Sequence, residues 1–134
     1  MKNKNWIVGI ATLGLPAKTP MPGTLGSLFA GIGLLLWGAA NFNSCFGVAV
    51  PLLAALAAFP VITQALKSYI EPDPRAICLD EVVGMLFTLC MIKLDVRSVL
   101  LGLALFRFFD IIKPLGIKKC EQLPGAWGIL LDDV

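Results

Sequence analysis

The feature that most constrains this sequence is a long stretch without charge, because residues 21–64 contain no Asp, Glu, Lys or Arg. The polar residues 41–44 (NFNS) divide the stretch into two apolar segments of about 20 residues each, the length that a helix needs to cross a membrane. Only 15% of the 134 residues are charged, whereas a soluble domain carries about 25%. The sequence therefore predicts an integral membrane protein.

The apolar pattern predicts an all-α fold, a polytopic membrane bundle of about four apolar helices. The four helices are expected near residues 25–40, 46–64, 82–92 and 96–112. A short interfacial helix is expected over residues 6–15, before Pro16, and a polar loop over residues 67–81. The last two apolar segments are short for independent spans, so we expect tilt or local thinning of the bilayer.

Lys and Arg residues indicate the orientation of this bundle. They precede the first apolar segment, follow the second and follow the fourth: Lys2, Lys4 and Lys18; Lys67 and Arg75; Lys113, Lys118 and Lys119. Lys93 and Arg97, between the third and fourth segments, are the exception. The positive-inside rule then predicts that the N-terminus, the 67–81 loop and the C-terminal segment face the cytoplasm.

Composition excludes several classes of function. A net charge of +2 without a basic patch argues against nucleic-acid binding. The absence of histidine excludes phosphatases that depend on it, and no Walker motif, DxD motif or CxxC pair occurs. The four cysteines have no metal-binding spacing, so we interpret them as small buried hydrophobic residues.

The first polar motif is PGTLGS at residues 22–27. Its glycines allow close backbone approach. The hydroxyls of Thr24 and Ser27 are expected at the start of a helix, where free backbone N–H groups favour an anion such as phosphate. Gly23, Thr24, Gly26 and Ser27 are therefore candidate phosphate-binding residues. The alternative is an ordinary turn in which Thr24 caps the helix, and the motif taken alone favours that alternative because capping is so common.

The second motif places two acids, Asp80 and Glu81, directly ahead of the third apolar segment. A helix N-terminus explains one of them well, with Asp80 as the cap, but explains Glu81 only weakly as a complement to the helix dipole. Gly84 follows Asp80 by four residues and shares its helix face, which leaves room beside the acid. This pair is the first candidate for metal binding.

The third motif is FRFFDIIKP at residues 106–114, where Arg107, Asp110 and Lys113 recur every three residues on an otherwise apolar helix. Ionisable residues in such a segment predict a functional site, although a structural Arg–Asp pair is the alternative. The fourth motif is GAWGILLDD at residues 125–133, which ends in Asp132 and Asp133; its alternative is a solvated tail.

Together the motifs bring carboxylates, basic side chains and a glycine-hydroxyl turn to one predicted membrane face. Carboxylates are the ligands that Mg²⁺ prefers. Arg, Lys and backbone N–H groups are the ligands that phosphate prefers. Both sets at one site indicate metal-assisted phosphoryl chemistry.

The four motifs, in this order and spacing, resemble the phosphatidylglycerophosphatase A family. The resemblance is carried by residues 22–27, 73–85 (DPRAICLDEVVGM), 106–114 and 125–133, and covers about residues 20–134. It implies a Mg²⁺-dependent phosphatase that converts phosphatidylglycerophosphate into phosphatidylglycerol on the cytoplasmic face of a bacterial inner membrane. Family members usually continue past the final acidic pair, so we expect residues 1–134 to form one membrane domain that lacks its C-terminal helix.

The resulting hypothesis assigns roles by residue. The predicted Mg²⁺ ligands, one of which would serve instead as general base, are Asp80, Glu81, Asp110, Asp132 and Asp133. The predicted phosphate-binding groups are Arg107 and Lys113, completed by the PGTLGS motif. Two alternatives stay open: a non-enzymatic ion-binding or transport subunit that uses the same acids, and a hydrolase of a different phosphoester.

Overall fold

In the computed structural model the described residues are 5–14, 20–40, 47–69, 76–112 and 125–131. All the regular structure in these ranges is helical, which confirms the predicted all-α class. The helices are α1 (Asn5–Ala11), α2 (Pro22–Ala40), α3 (Ala49–Leu66), α4 (Leu79–Leu89), α5 (Val96–Ile112) and α6 (Ala126–Leu131).

The predicted boundaries are correct for α5, whereas the starts of α2, α3 and α4 each differ from the predicted residue by three. Helix α2 begins at Pro22, because a proline at the first helical position has no N–H to leave unsatisfied. Helix α4 begins at Leu79, so the predicted polar loop ends earlier than residue 81. As a consequence, the PGTLGS motif and the pair Asp80 and Glu81 each lie inside the first turns of a helix.

Helix α4 is the centre of the fold and packs against α2, α3, α5 and α6. On one side Val83 joins a buried cluster with Ile62 of α3 and Ile129 of α6. On the other side Met85 and Leu89 join a second cluster with residues of α2 and α5. Because both sides of α4 are covered, the acids in its first turn are held close to the helices around them.

The outward faces of α2, α3 and α5 are rich in exposed large apolar side chains, including Phe29, Leu36, Leu53, Leu56 and Leu101. In the part of the chain that the structure describes, one helix, α3, meets the length and composition needed to cross a membrane, and α2 contributes the shorter apolar stretch Pro22–Gly38. The predicted number of about four spanning helices is therefore not confirmed.

Two glycines allow close packing in this bundle, one between α2 and the segment before α5 and one between α5 and α4. A Cβ on Gly38 of α2 would lie 2.5 Å from the carbonyl oxygen and 2.6 Å from the Cβ of Leu94. A Cβ on Gly102 of α5 would lie 2.6 Å from Cδ2 of Leu89, the end of a flexible side chain. The approach at Gly38 is therefore the more rigid of the two, since the backbone of Leu94 cannot swing aside.

We expect Gly38→Ala to lower the free energy of unfolding by about 1–3 kcal/mol, because the added methyl overpacks the backbone of Leu94. Urea or thermal unfolding in detergent micelles measures the change. The matched control is Gly33→Ala on the same helix, where a Cβ would meet nothing within 4 Å. Alanine favours a helix over glycine by about 1 kcal/mol, so this control is expected to be at least as stable as the parent chain. Equal stability of the two variants would show that α2 does not contact Leu94 in this way.

Candidate functional site

The candidate site lies where the first turns of α2 and α4 meet the last turns of α5. Cys78 occupies the N-cap position of α4, and its side chain makes no capping hydrogen bond. Its backbone N–H donates to the carbonyl of Ala11 (2.9 Å), and its thiol donates to the carbonyl of Pro22 (3.3 Å). These two bonds join the start of α4 to the end of α1 and to the start of α2.

Both capping alternatives from the sequence are wrong. Asp80 is the second residue of α4 rather than its cap, because the helix already begins at Leu79. Thr24 is likewise inside α2, which begins at Pro22. Asp80 is partly buried, with its Oδ1 atom inaccessible to solvent. Neither acid of the pair is therefore explained by capping.

Glu81 is the most buried acid among the described residues, at 9% exposed. Its Oε2 atom lies 3.2 Å from Nη1 of Arg107 on α5. On the opposite side its carboxylate contacts α2 at Gly23, where it fills the space that a side chain would need. Glu81 is therefore enclosed between two helices at the end of a third.

Arg107 connects two acids through one nitrogen atom. The same Nη1 that faces Glu81 lies 2.7 Å from Oδ2 of Asp110, one turn further along α5. The three side chains are 12–20% exposed, so most of each is shielded from water. The Arg107–Asp110 ion pair, which was the structural alternative for this motif, is present, and the structure adds Glu81 to it.

Burial changes the acidity of two groups at the start of α4, both ahead of the apolar segment 82–92. It raises the pKa of the Glu81 carboxyl to about 7, against the opposing effect of the Arg107 charge. Burial and the nearby charge of Glu81 raise the pKa of the Cys78 thiol to about 12. Cys78 and Cys90 are both free and buried, as expected for small hydrophobic residues; Cys45 and Cys120 lie outside the described residues.

The PGTLGS motif faces α4 rather than standing free. Ser27 is fully buried, and its hydroxyl lies 3.0 Å from the carbonyl of Gly23 and 3.2 Å from that of Thr24. A Cβ on Gly26 would lie 2.8 Å from the Cβ of Cys78, so this glycine lets the two helices touch. Thr24 is half-buried. The sequence did not indicate these contacts, although the glycine spacing was a signal for close packing.

Several predicted site residues cannot be placed: Lys113, Asp132 and Asp133 lie outside the described residues. Among the residues that are described, no group of three His, Cys, Asp or Glu side chains is close enough to hold a metal ion. Glu81 and Asp110 nevertheless both place a carboxylate oxygen beside Nη1 of Arg107, and the 3.2 Å contact of Oε2 of Glu81 is an ion pair without hydrogen-bond geometry. A hard divalent cation fits this donor chemistry.

The comparisons with known proteins decide the family. The sequence profile of the family described as phosphatidylglycerophosphatase A matches residues 6–134. The chain belongs to this family. A phosphatidylglycerophosphatase A of Haemophilus influenzae is 35% identical over 127 residues, which cover 86% of this chain and 71% of the relative. Membership makes the chain an enzyme of the phosphatidylglycerophosphatase class, a lipid phosphatase, and confirms the resemblance drawn from the four motifs.

A second relative, from Bacteroides thetaiotaomicron, carries the provisional name phosphatidylinositol-3-phosphatase. It is 38% identical over 121 residues, which cover 84% of this chain and 74% of the relative. No solved structure matches the chain. Both relatives are therefore named as phosphatases of a phosphorylated lipid headgroup. The two names differ in which headgroup it is.

Proposed function

We propose that the chain hydrolyses the terminal phosphomonoester of phosphatidylglycerophosphate in a Mg²⁺-dependent reaction, giving phosphatidylglycerol and phosphate. The observation that carries this proposal is the shared contact of Arg107 with Glu81 and Asp110. It brings a phosphate-binding cation and two potential metal ligands from α4 and α5 to one point. Family membership favours this enzyme over a non-enzymatic ion-binding or transport subunit.

The carboxylates would hold the metal, and one of them would take the proton from the attacking water. The proposed ligand set is Asp80, Glu81, Asp110, Asp132 and Asp133. When bound, Mg²⁺ supplies charge that polarises the phosphoryl oxygens and acidifies a bound water. Burial of Glu81 removes competing water from its carboxylate, which strengthens its interaction with any cation nearby.

Arg107 would bind and orient the phosphate. A guanidinium carries five N–H donors in a planar fork, so contact with two carboxylates through Nη1 still leaves donors for a phosphate oxygen. Lys113, three residues beyond Asp110, would add a second positive charge. Phosphate binding by Gly23, Thr24, Gly26 and Ser27 stays a prediction. For two of them, the contacts with Glu81 support a different role, which is argued below.

The site would lie at the depth of lipid headgroups on the cytoplasmic face of a bacterial inner membrane, in a multi-pass chain. The exposed apolar faces of α2, α3 and α5 support membrane embedding, and α3 is long enough to span. The acyl chains of the substrate would then remain in the bilayer while its phosphate enters the site. Cytoplasmic orientation is supported by the distribution of Lys and Arg in the sequence.

A panel of phosphoesters tests the proposal. Purified protein in mixed micelles is given phosphatidylglycerophosphate, phosphatidylinositol 3-phosphate, phosphatidate and glycerol 3-phosphate, and released phosphate is measured. We expect fastest release from phosphatidylglycerophosphate, loss of release with a chelator and recovery on addition of Mg²⁺. Asp80→Asn should abolish release without unfolding the protein. Loss of activity in this variant would also show that the release does not come from a contaminating phosphatase.

Three results would contradict the proposal. Full turnover in the presence of a chelator would show that the reaction does not need Mg²⁺. Retained turnover in Asp80→Asn would show that the proposed site does not carry out the reaction. A preference for phosphatidylinositol 3-phosphate would favour the second candidate function, hydrolysis of that lipid. That candidate is favoured by one observation, the name of the 38% identical relative from Bacteroides thetaiotaomicron.

A further inference from the structure

Gly23 brings the backbone of α2 into direct contact with Glu81 of the acidic pair. An ideal Cβ on Gly23 would overlap Oε1 of Glu81 and would lie 2.9 Å from its Cδ atom and 3.2 Å from Oε2. The carboxylate thus occupies the space where any other residue would have its side chain. Gly23 belongs to the predicted phosphate motif, but the group that it contacts is the acid on α4.

Ser27 lies one helical turn after Gly23 on the same face of α2, because residues four apart are stacked. It is fully buried. Its hydroxyl donates toward the carbonyls of Gly23 and Thr24 (3.0 and 3.2 Å). It also lies close enough to the Glu81 carboxyl to lower the pKa of that group, against the larger effect of burial. A fully buried hydroxyl with these partners faces the acid of α4 rather than an incoming ligand.

Folding of α2 does not by itself require glycine at position 23. Its φ is not in the left-handed region, unlike that of Gly14 or Gly125. Within a helix, glycine costs about 1 kcal/mol relative to alanine. The clash that a methyl would cause is with the end of a flexible side chain, which can move aside. Gly23 therefore lowers the stability of α2 but leaves the space that the Glu81 carboxylate occupies.

We infer that Gly23 and Ser27 are positioning residues that act on the reaction through Glu81. The surface of α2 at these residues limits the position of the Glu81 carboxylate on one side, and Arg107 of α5 forms an ion pair with it. This inference rests on the proposed role of Glu81 in phosphate-ester hydrolysis. It differs from direct phosphate binding by the motif, and the two roles make different predictions for kinetics.

Gly23→Ala is expected to lower kcat for phosphatidylglycerophosphate about 100-fold, the effect of displacing a reacting group by roughly 1 Å. KM is expected to stay unchanged and the unfolding temperature to stay equal or rise, since only the carboxylate moves. Ser27→Ala should lower kcat about tenfold in the same way, because it removes the hydroxyl that lies beside the positioned carboxylate. The matched control is Gly33→Ala, on the exposed side of the same helix, which should keep the kcat of the parent chain.

A double-mutant cycle with Glu81→Asp separates positioning from phosphate binding. Asp is one methylene shorter, so its carboxylate withdraws from the methyl added at position 23. We therefore expect Gly23→Ala to lower kcat less than threefold in the Glu81→Asp background, although it costs about 100-fold in the parent chain. Independent, multiplicative effects, or a rise in KM at constant kcat, would show that Gly23 binds the substrate and would overturn the inference.

Glu81→Gln, measured beside these variants, distinguishes failure of the inference from failure of the proposed function. If Glu81→Gln is inactive and Gly23→Ala has the kcat of the parent chain, the positioning role is wrong and the proposed site stands. If Glu81→Gln keeps full activity, the role of Glu81 is wrong and the positioning role falls with it. Loss of kcat in both, with coupling in the cycle, supports both.

Discussion

Replacement of Arg107 by leucine is expected to lower phosphate release at least about 100-fold, because it removes the donor that we propose to bind the phosphate. It also leaves Glu81 and Asp110 close together without the cation that both contact. Removing one partner of a buried ion pair costs about 3 kcal/mol or more. These side chains are 12–20% exposed, so we expect a loss near the lower end of that range. Phosphate release and chemical unfolding measure the two effects separately.

Two variants serve as controls for Arg107→Leu. Arg107→Lys keeps one positive charge but not the planar fork, so it should recover much of the stability and little of the activity. Arg97→Leu removes an exposed arginine from the same helix, about 15 Å along its axis, and should leave both properties unchanged. Full activity of Arg107→Leu would mean that the phosphate is bound elsewhere. An equal loss of activity in Arg97→Leu would mean that the effect is one of overall charge.

What the sequence predicted well depends on neighbours along the chain. The bounds of α5 follow from a largely apolar segment, and the pairing of Arg107 with Asp110 follows from a spacing of three residues on that helix. The all-α class follows from composition and segment length in the same way. Local periodicity therefore accounts for the elements and for one half of the ion-paired cluster.

What the sequence did not predict depends on contacts between distant segments. The thiol of Cys78 bonds the carbonyl of Pro22 across 56 residues, and this bond lies beside the point where Gly23 meets Glu81. No periodic pattern links these two segments, so the sequence alone does not indicate that Gly23 and Ser27 face Glu81. The start of α4 was missed for the same reason: Cys78 at the N-cap position makes no side-chain cap bond, and the helix begins where Cys78 is tied to α1 and α2.

Glu81→Gln is expected to lower kcat at least about 100-fold, because an amide neither accepts a proton nor binds a hard cation as a carboxylate does. Stability should change by less than about 1 kcal/mol. Glutamine has nearly the same shape and keeps the contact with Gly23. The loss of one partner of Arg107 is offset because burial already disfavours the charged carboxyl, whose pKa is raised to about 7. Steady-state kinetics and thermal unfolding of the same preparation measure both quantities.

The matched control is Asp95→Asn, at the opposite end of α5 from Arg107. Asp95 accepts a hydrogen bond from the backbone N–H of Ser98 (2.8 Å), and an asparagine oxygen can accept the same bond. This control should therefore retain both activity and stability. If Glu81→Gln lowers the unfolding temperature and the activity together, Glu81 acts mainly as a structural partner of Arg107. A variant that is stable and inactive separates the two roles, because only chemistry at the carboxylate distinguishes it from the parent chain.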